Sequence, residues 1–257
     1  MINLVINTKG GSGKSTTSIQ ILPLLSYIRT QNSIKIYEID DNNTTKIDNS
    51  IIELKNFNLN QSDDAFDDIE FNNMIDVDTT YIVDAGGGND TKRVLEKLHE
   101  TDLEDITFYI PTNADYDQVD NIKNTILNIK KYYAEPKIIL ILNRCKELDE
   151  EKIKEQFFAI FGRDDYMING RLEEIADDIT GYFYIPDDDL FGILKDVYNK
   201  SLLDAYIDSK EMVDNRVEIK REWASESKES YKKNMSIMRF SIKIVELAEN
   251  IIKINKV

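Results

Sequence analysis

The stretch Lys9-Gly10-Gly11-Ser12-Gly13-Lys14-Ser15-Thr16 decides the fold. It follows the apolar run Ile2 to Asn7, the pattern of a strand buried in a parallel sheet. It leads into Thr17 to Thr30, where Ile21, Leu24, Leu25 and Ile28 recur at helical spacing. Strand, glycine-rich turn and helix form the context of a phosphate-binding loop. The glycines let the backbone curl so that successive N–H groups face one concavity, which suits an anion. The helix that follows adds its positive N-terminal end. Lys14 is placed to reach the outer phosphates, and the Ser15 hydroxyl to ligate Mg²⁺. A basic, flexible turn without a ligand is the competing reading. Two lysines and three glycines at this spacing, directly after a strand, count against it.

Composition bounds the rest. A chain of 257 residues suits one large α/β domain better than two small ones. A chain this long buries roughly 70–75% of its unfolded surface and needs no staples. Its single cysteine, Cys145, excludes a disulfide within the chain and fits a reducing cytosol. One thiol also excludes an iron–sulfur cluster held by four cysteines of one chain. No apolar run approaches the length of a membrane span, and no signal-peptide pattern opens the sequence, so the expectation is a soluble, cytoplasmic protein. The formal net charge is −16. Arg216 to Val257 nevertheless carries 10 basic and 6 acidic residues, a net of +4, which leaves −20 on residues 1–215. The bulk charge speaks against nonspecific DNA binding. The basic segment, with Lys220, Arg221, Lys228, Lys232 and Lys233, is the expected place for a DNA or protein contact; a solvated helix face has the same composition.

Along the chain, Ile34 to Asp40 reads as a second strand ending in the polar cluster Asp40-Asp41-Asn42-Asn43. Carboxylates at that end of a parallel strand sit beside the phosphate loop in doubly wound sheets. Pro23 should kink the first helix. Ser50 to Leu54 reads as a short strand and Asn56 to Asp68 as an exposed loop. Thr79 to Asp84 is an apolar strand ending in aspartate, a usual second element of a nucleotide-phosphatase metal site. Gly86-Gly87-Gly88 follows, either a switch that senses a terminal phosphate or a plain turn. Asn89 caps a helix to about Glu100, with His99, the sole histidine, on the surface near its end. Further strands are expected at 106–111, 137–142 and 182–186, and helices at 115–133, 148–161 and 190–205. Glu218 to Ile254 reads as one or two long helices, with Tyr231, Met235, Met238, Ile242 and Val245 in one stripe, widened by Ile237, Ile244 and Ile251. That face is expected to pack on the domain and not to enter a membrane, since Trp and Phe are missing near its end.

Alternating strands and helices imply an α/β fold, a doubly wound, mostly parallel sheet with helices on both faces and a helical C-terminal extension. The loop departs from G-x-x-x-x-G-K-[ST], because Thr8 stands at the first glycine position. As K-G-G-x-G-K-[ST], it resembles the deviant phosphate-binding loop of the ParA/MinD family of ATPases, in which the extra lysine is the signature. The resemblance covers residues 1–205, with 206–257 as the helical extension. It implies a P-loop ATPase that binds ATP and Mg²⁺ and forms a homodimer in the ATP state, assisted by an activating adaptor protein. Gly10, Gly11, Ser12, Gly13, Lys14, Ser15 and Thr16 would cradle the phosphates, and Lys9 would cross to the neighbouring subunit's nucleotide. Ser15, Asp84 and Glu38 would form the metal site. Asp40 would position or deprotonate the attacking water, with Asp41, Asn42 and the three glycines as switch residues. The family's Asp-x-Asp is matched here by Glu38-Ile39-Asp40, although Asp40 and Asn42 offer another register. Asn143, followed by Arg144, would read the adenine edge, unless it merely caps its strand. The form Glu-x-Asp-Asp-Asn is similar to ParA-like proteins of conjugative and DNA-transfer systems, and the Pro-Gln usual in plasmid partition is absent. A P-loop ligase or kinase for a small substrate, and a nucleotide-binding scaffold with little hydrolysis, are the alternatives.

Overall fold

The computed structural model describes residues 1–41, 45–48 and 50–257, excepting the side chain of Asn89. Among the described residues, seven strands form one sheet: β1 (Ile2–Val5), β2 (Ser33–Ile39), β3 (Ile52–Phe57), β4 (Thr79–Ala85), β5 (Ile106–Thr112), β6 (Lys137–Cys145) and β7 (Gly181–Pro186). Their order is β3-β2-β4-β1-β5-β6-β7, and every pairing is parallel. The loop that follows β1 therefore leaves the middle of the sheet, where the strand order turns back on itself.

Strand alternation divides the core into two layers. Ile2, Leu4, Ile6, Tyr37, Ile39, Tyr81 and Val83 face one layer of helices. These are α2 (Ser62–Ile75), α3 (Asn89–His99), α4 (Gln118–Lys130), α5 (Glu150–Gln156) and α6 (Phe158–Phe161). Val5, Ile34, Ile36 and Ile82 face the other, built by a π-helical turn (Thr16–Ile21), α1 (Leu22–Thr30), α7 (Leu190–Gly192), α8 (Leu202–Asp214) and part of α10 (Lys228–Ile254). Between the last two runs α9 (Arg216–Glu226), which buries no residue.

Several expectations change. Residues 56–68 are not an exposed loop. They finish β3, pass through a 3₁₀ turn whose start is closed by a capping box between Asn58 and Gln61, and begin α2. Ser62, Ala65, Phe66 and Ile69 supply a buried face that the surrounding Asp and Asn residues mask in the sequence. Pro23 does not bend a continuous α-helix. It directly follows the π turn, in which the Leu22 N–H reaches back to the Thr17 carbonyl, so the helix is irregular where the proline lacks an N–H. The helix expected at 148–161 is divided at Phe157, and that at 190–205 is broken into α7, a π turn and α8. Helix α3 starts at Asn89 itself, after Gly88. Met238, Ile244, Val245 and Ile251 are buried as expected, but Ile237 is 49% exposed and lies off the packed face. Exposed His99 packs its ring on Tyr132 and Tyr133.

Candidate functional site

The loop between β1 and the π turn is held from behind by amides. Asn7 accepts the Lys9 N–H at 2.8 Å and donates to the Pro111 carbonyl at 2.7 Å. Asn113 donates to the Gly11 carbonyl at 3.3 Å, and buried Asn143 donates to the Ser12 carbonyl at 3.0 Å. Asn143 thus sits against the loop itself. Gly13 has φ +104°, and a Cβ there would lie 2.7 Å from the Asn143 Cγ. Gly13→Ala is therefore expected to destabilise the chain by about 1–3 kcal/mol, the usual cost of forcing such backbone. Gly10→Ala, whose Cβ would meet nothing within 4 Å, should leave the thermal midpoint nearly unchanged. Equal midpoints for the two variants would contradict this geometry.

Lys14 and a set of carboxylates converge in front of the loop. Asp84, next to last in β4, is in register with Glu38 of β2, so two acids lie side by side on neighbouring strands. Both are buried. Asp84 Oδ2 accepts the Ser18 hydroxyl at 2.7 Å, and the nearby Ser15 hydroxyl also favours the charged carboxylate. Burial, reinforced by the charge of Glu38, pushes the Asp84 carboxyl up to about 6, against the pull of Ser18, Lys14 and Ser15. Burial draws Lys14 below the ordinary lysine value, opposed by attraction to Asp84, Asp40 and Asp90. Glu38 accepts the Thr45 N–H at 2.8 Å and the Thr45 hydroxyl at 2.9 Å.

The glycine run closes over this group. Gly86 N–H donates to the Ile39 carbonyl at 2.9 Å, and Gly88 N–H to the Thr8 carbonyl at 3.0 Å. Of the three glycines only Gly88 has positive φ. A Cβ on Gly87 would stand 3.4 Å from the Lys14 ammonium and 3.6 Å from the Gly10 nitrogen, which shows how closely this segment approaches the loop. The segment is thereby tied to the phosphate loop on one side and to β2 on the other.

Lys9 is half-buried at the rim, and its ammonium has no hydrogen-bond or ion-pair partner among the described residues. Thr16 opens the π turn. Asp40 directly follows β2, its N–H donating to the Phe57 carbonyl at 3.1 Å. Exposed Asp41 accepts the Leu59 N–H at 2.7 Å. Asn42 lies outside the described residues. Arg144 is exposed, at φ +61°, in the irregular end of β6. The sequence reading missed Ser18, Thr45, Asp90, Thr91 and Asn113. Ser18 had a signal, since it follows Ser15 by one helical turn. Thr91, which donates to the Gly86 carbonyl, and Asn113 had none.

Among the described residues, no group of three or more His, Cys, Asp or Glu side chains is arranged to hold a metal ion. The oxygen donors at Ser15 and Asp84 suit Mg²⁺, which takes few protein ligands and completes its shell with phosphate and water. No helix of the described residues is long and apolar enough to cross a membrane.

No curated protein matches the chain. Among solved structures, it is similar to a plasmid partition protein of Borrelia burgdorferi B31 bound to AMPPNP, at 16% identity and TM-score 0.43 over 74% of this chain and 89% of that one. A second Borrelia burgdorferi plasmid partition protein aligns at 15% identity and TM-score 0.44, over 77% of this chain and 94% of that one. Residues 4–166, from β1 through the phosphate loop, both carboxylate strands and β6, match the CobQ/CobB/MinD/ParA nucleotide binding domain, and the chain belongs to that family.

Proposed function

We propose that the chain is an ATP-driven switch of the ParA type, which binds Mg²⁺ and ATP, dimerises face to face around the nucleotide and hydrolyses it. Its output is the positioning or segregation of DNA or of a DNA-transfer assembly, stimulated by an adaptor protein. The observation that carries this reading is the convergence of Lys14, Ser15, Asp84 and Asp40 beneath a glycine segment tied to the loop by the Gly88–Thr8 bond. The site holds more carboxylate than ammonium. Phosphate would be repelled from it unless a divalent cation entered too. Ser15 and Asp84 would hold that Mg²⁺, which would neutralise phosphate charge when bound. Lys14 would bind the outer phosphates, and Asp40 would orient the attacking water. With its NH2 on the Ser12 carbonyl, the Asn143 amide would offer its Oδ1 to the adenine amino group. The exposed cations of α9 and early α10 are the surface through which DNA would be contacted.

Turnover of ATP by the chain alone, with DNA, and with the products of neighbouring genes tests this reading. Hydrolysis to ADP and phosphate, raised by either addition, supports it. A small acceptor that becomes phosphorylated would replace the switch with a kinase or ligase. Asp40→Ala should keep ATP binding and slow hydrolysis by ~10²–10⁴-fold, as loss of a water-positioning carboxylate does. If Asn42→Ala slows turnover and Asp40→Ala does not, the register of the second strand is the other one.

The raised Asp84 pKa gives two opposite pH slopes. The folded chain keeps the Asp84 proton to higher pH than the unfolded chain, so nucleotide-free stability should fall as pH rises towards about 6. A metal ligand must be deprotonated, so Mg²⁺-dependent nucleotide affinity should fall as pH drops through about 6. Asp84→Asn should flatten both slopes. Urea midpoints and calorimetric titrations with Mg²⁺ and ATP between pH 5 and 8 check this; slopes retained in Asp84→Asn would place the titrating group elsewhere.

A further inference from the structure

Helix α2 presents two different surfaces. Its inner face, with Ala65, Phe66 and Ile69, is buried on the sheet. Its outer face begins with exposed Asp64 and Asp67 and ends with Phe71, Met74 and Ile75, at 64%, 74% and 70% exposure. Val77, just past the helix, is 75% exposed. Large apolar side chains at this exposure and this spacing form a patch of the kind that marks an interaction site. The stretch 63–78 holds seven carboxylates and no lysine or arginine. Lys97 pairs with Asp63 and Lys55 with Asp68. Among the described residues, no lysine or arginine forms an ion pair with Asp64, Asp67, Glu70 or Asp78.

Asn73 of the same helix also lines a groove of about 1000 Å³ that reaches past Met1 to Pro136. Asp102, Glu104, Asp105 and Glu135 line that groove against Lys137 and the Met1 ammonium. It lies at the ends where β1, β5 and β6 begin, the opposite pole of the sheet from the phosphate loop.

We propose that this surface docks a cationic amphipathic helix of a partner protein. The partner's apolar turn would cover Phe71, Met74, Ile75 and Val77, and its lysines or arginines would lie over Asp64, Asp67 and the groove. Apolar anchors supply the affinity in such a contact, and opposite charge sets approach and orientation. A second copy of the chain is a poor occupant in the absence of nucleotide, because two chains of net −16 repel. A DNA or an anionic membrane surface would be repelled by the same carboxylates. Because the nucleotide lies at the other pole, the docked helix leaves the loop open, and the proposal does not rest on ATP chemistry.

The test uses a synthetic helix of lysine, alanine and leucine, with its leucines gathered in one terminal turn. Its fluorescence anisotropy is titrated with the full chain, without nucleotide, at low and moderate salt. Saturable binding is expected, with hydrogen exchange slowed across 70–78. Phe71→Ser/Met74→Ser should weaken it about tenfold or more, and Asp64→Asn/Asp67→Asn should remove its salt dependence. Both pairs of changes are on the surface, and unaltered thermal midpoints confirm that they fold. Binding that ignores the loss of Phe71 and Met74 would be charge attraction alone and would overturn the proposal. So would protection elsewhere, no binding, or self-association of the chain that the same serines abolish.

Discussion

Lys14→Ala is expected to abolish detectable binding of ATP. The ammonium faces Asp84, Asp40 and Asp90, and the Gly87 backbone closes over it. Without it the pocket presents carboxylates and a nest of N–H groups to a polyanion. Truncating one partner of a buried, charge-assisted contact costs about 2–5 kcal/mol. The carboxylates left unopposed add to that loss, so affinity should weaken by ~10³-fold or more. Calorimetric titration with Mg²⁺ and ATP is the measurement. Lys14 is itself drawn below the ordinary lysine value by burial, so the apo variant need not be less stable than the parent. A folded variant with unchanged ATP affinity would remove the basis for a nucleotide site here.

Lys9→Ala is expected to do something different. Its ammonium, at the rim and without an internal partner among the described residues, is not needed to hold the loop together. Only its backbone is used locally, the N–H by Asn7 and the carbonyl by the Ser12 hydroxyl. The variant should therefore fold and bind ATP as a monomer, yet lose hydrolysis. A cation supplied across an interface to the transferring phosphoryl group is worth ~10³–10⁵ in turnover in other nucleotide hydrolases. Initial rates with saturating Mg²⁺ and ATP read the effect. A turnover rate equal to that of the parent would leave Lys9 as an ordinary rim lysine.

What the sequence revealed was what depends on short spacing. Lys9 to Thr16, the strand before it and the aspartate at the end of 79–84 are local patterns, and the structure puts Lys14, Ser15 and Asp84 together as that pattern implies. The contacts that shape the site from outside the pattern were illegible. Asn143 reaches Ser12 across 131 residues, and Asn113 reaches Gly11 across 102. Such pairings follow from strand order, which no spacing encodes. Helix α2 was hidden for another reason. Only Ala65, Phe66 and Ile69 mark its inner face among four Asp and two Asn, which favour turns, and Phe71, Met74 and Ile75 fall outside that face. Tertiary burial on the sheet and the capping box at Asn58 outweigh that propensity. Thr45, bonded twice to Glu38, shows the same limit, because a polar loop residue carries no period to read.

The central claim is that ATP converts a repelling pair of acidic monomers into a dimer through Lys9. The most direct measurement is sedimentation velocity of the Asp40→Ala chain, which should hold ATP without consuming it. The account predicts a dimer in Mg²⁺ and ATP, a monomer in Mg²⁺ and ADP, and a monomer in both once Lys9→Ala is added. A chain that stays monomeric in ATP, or a dimer indifferent to both nucleotide and Lys9, would contradict it.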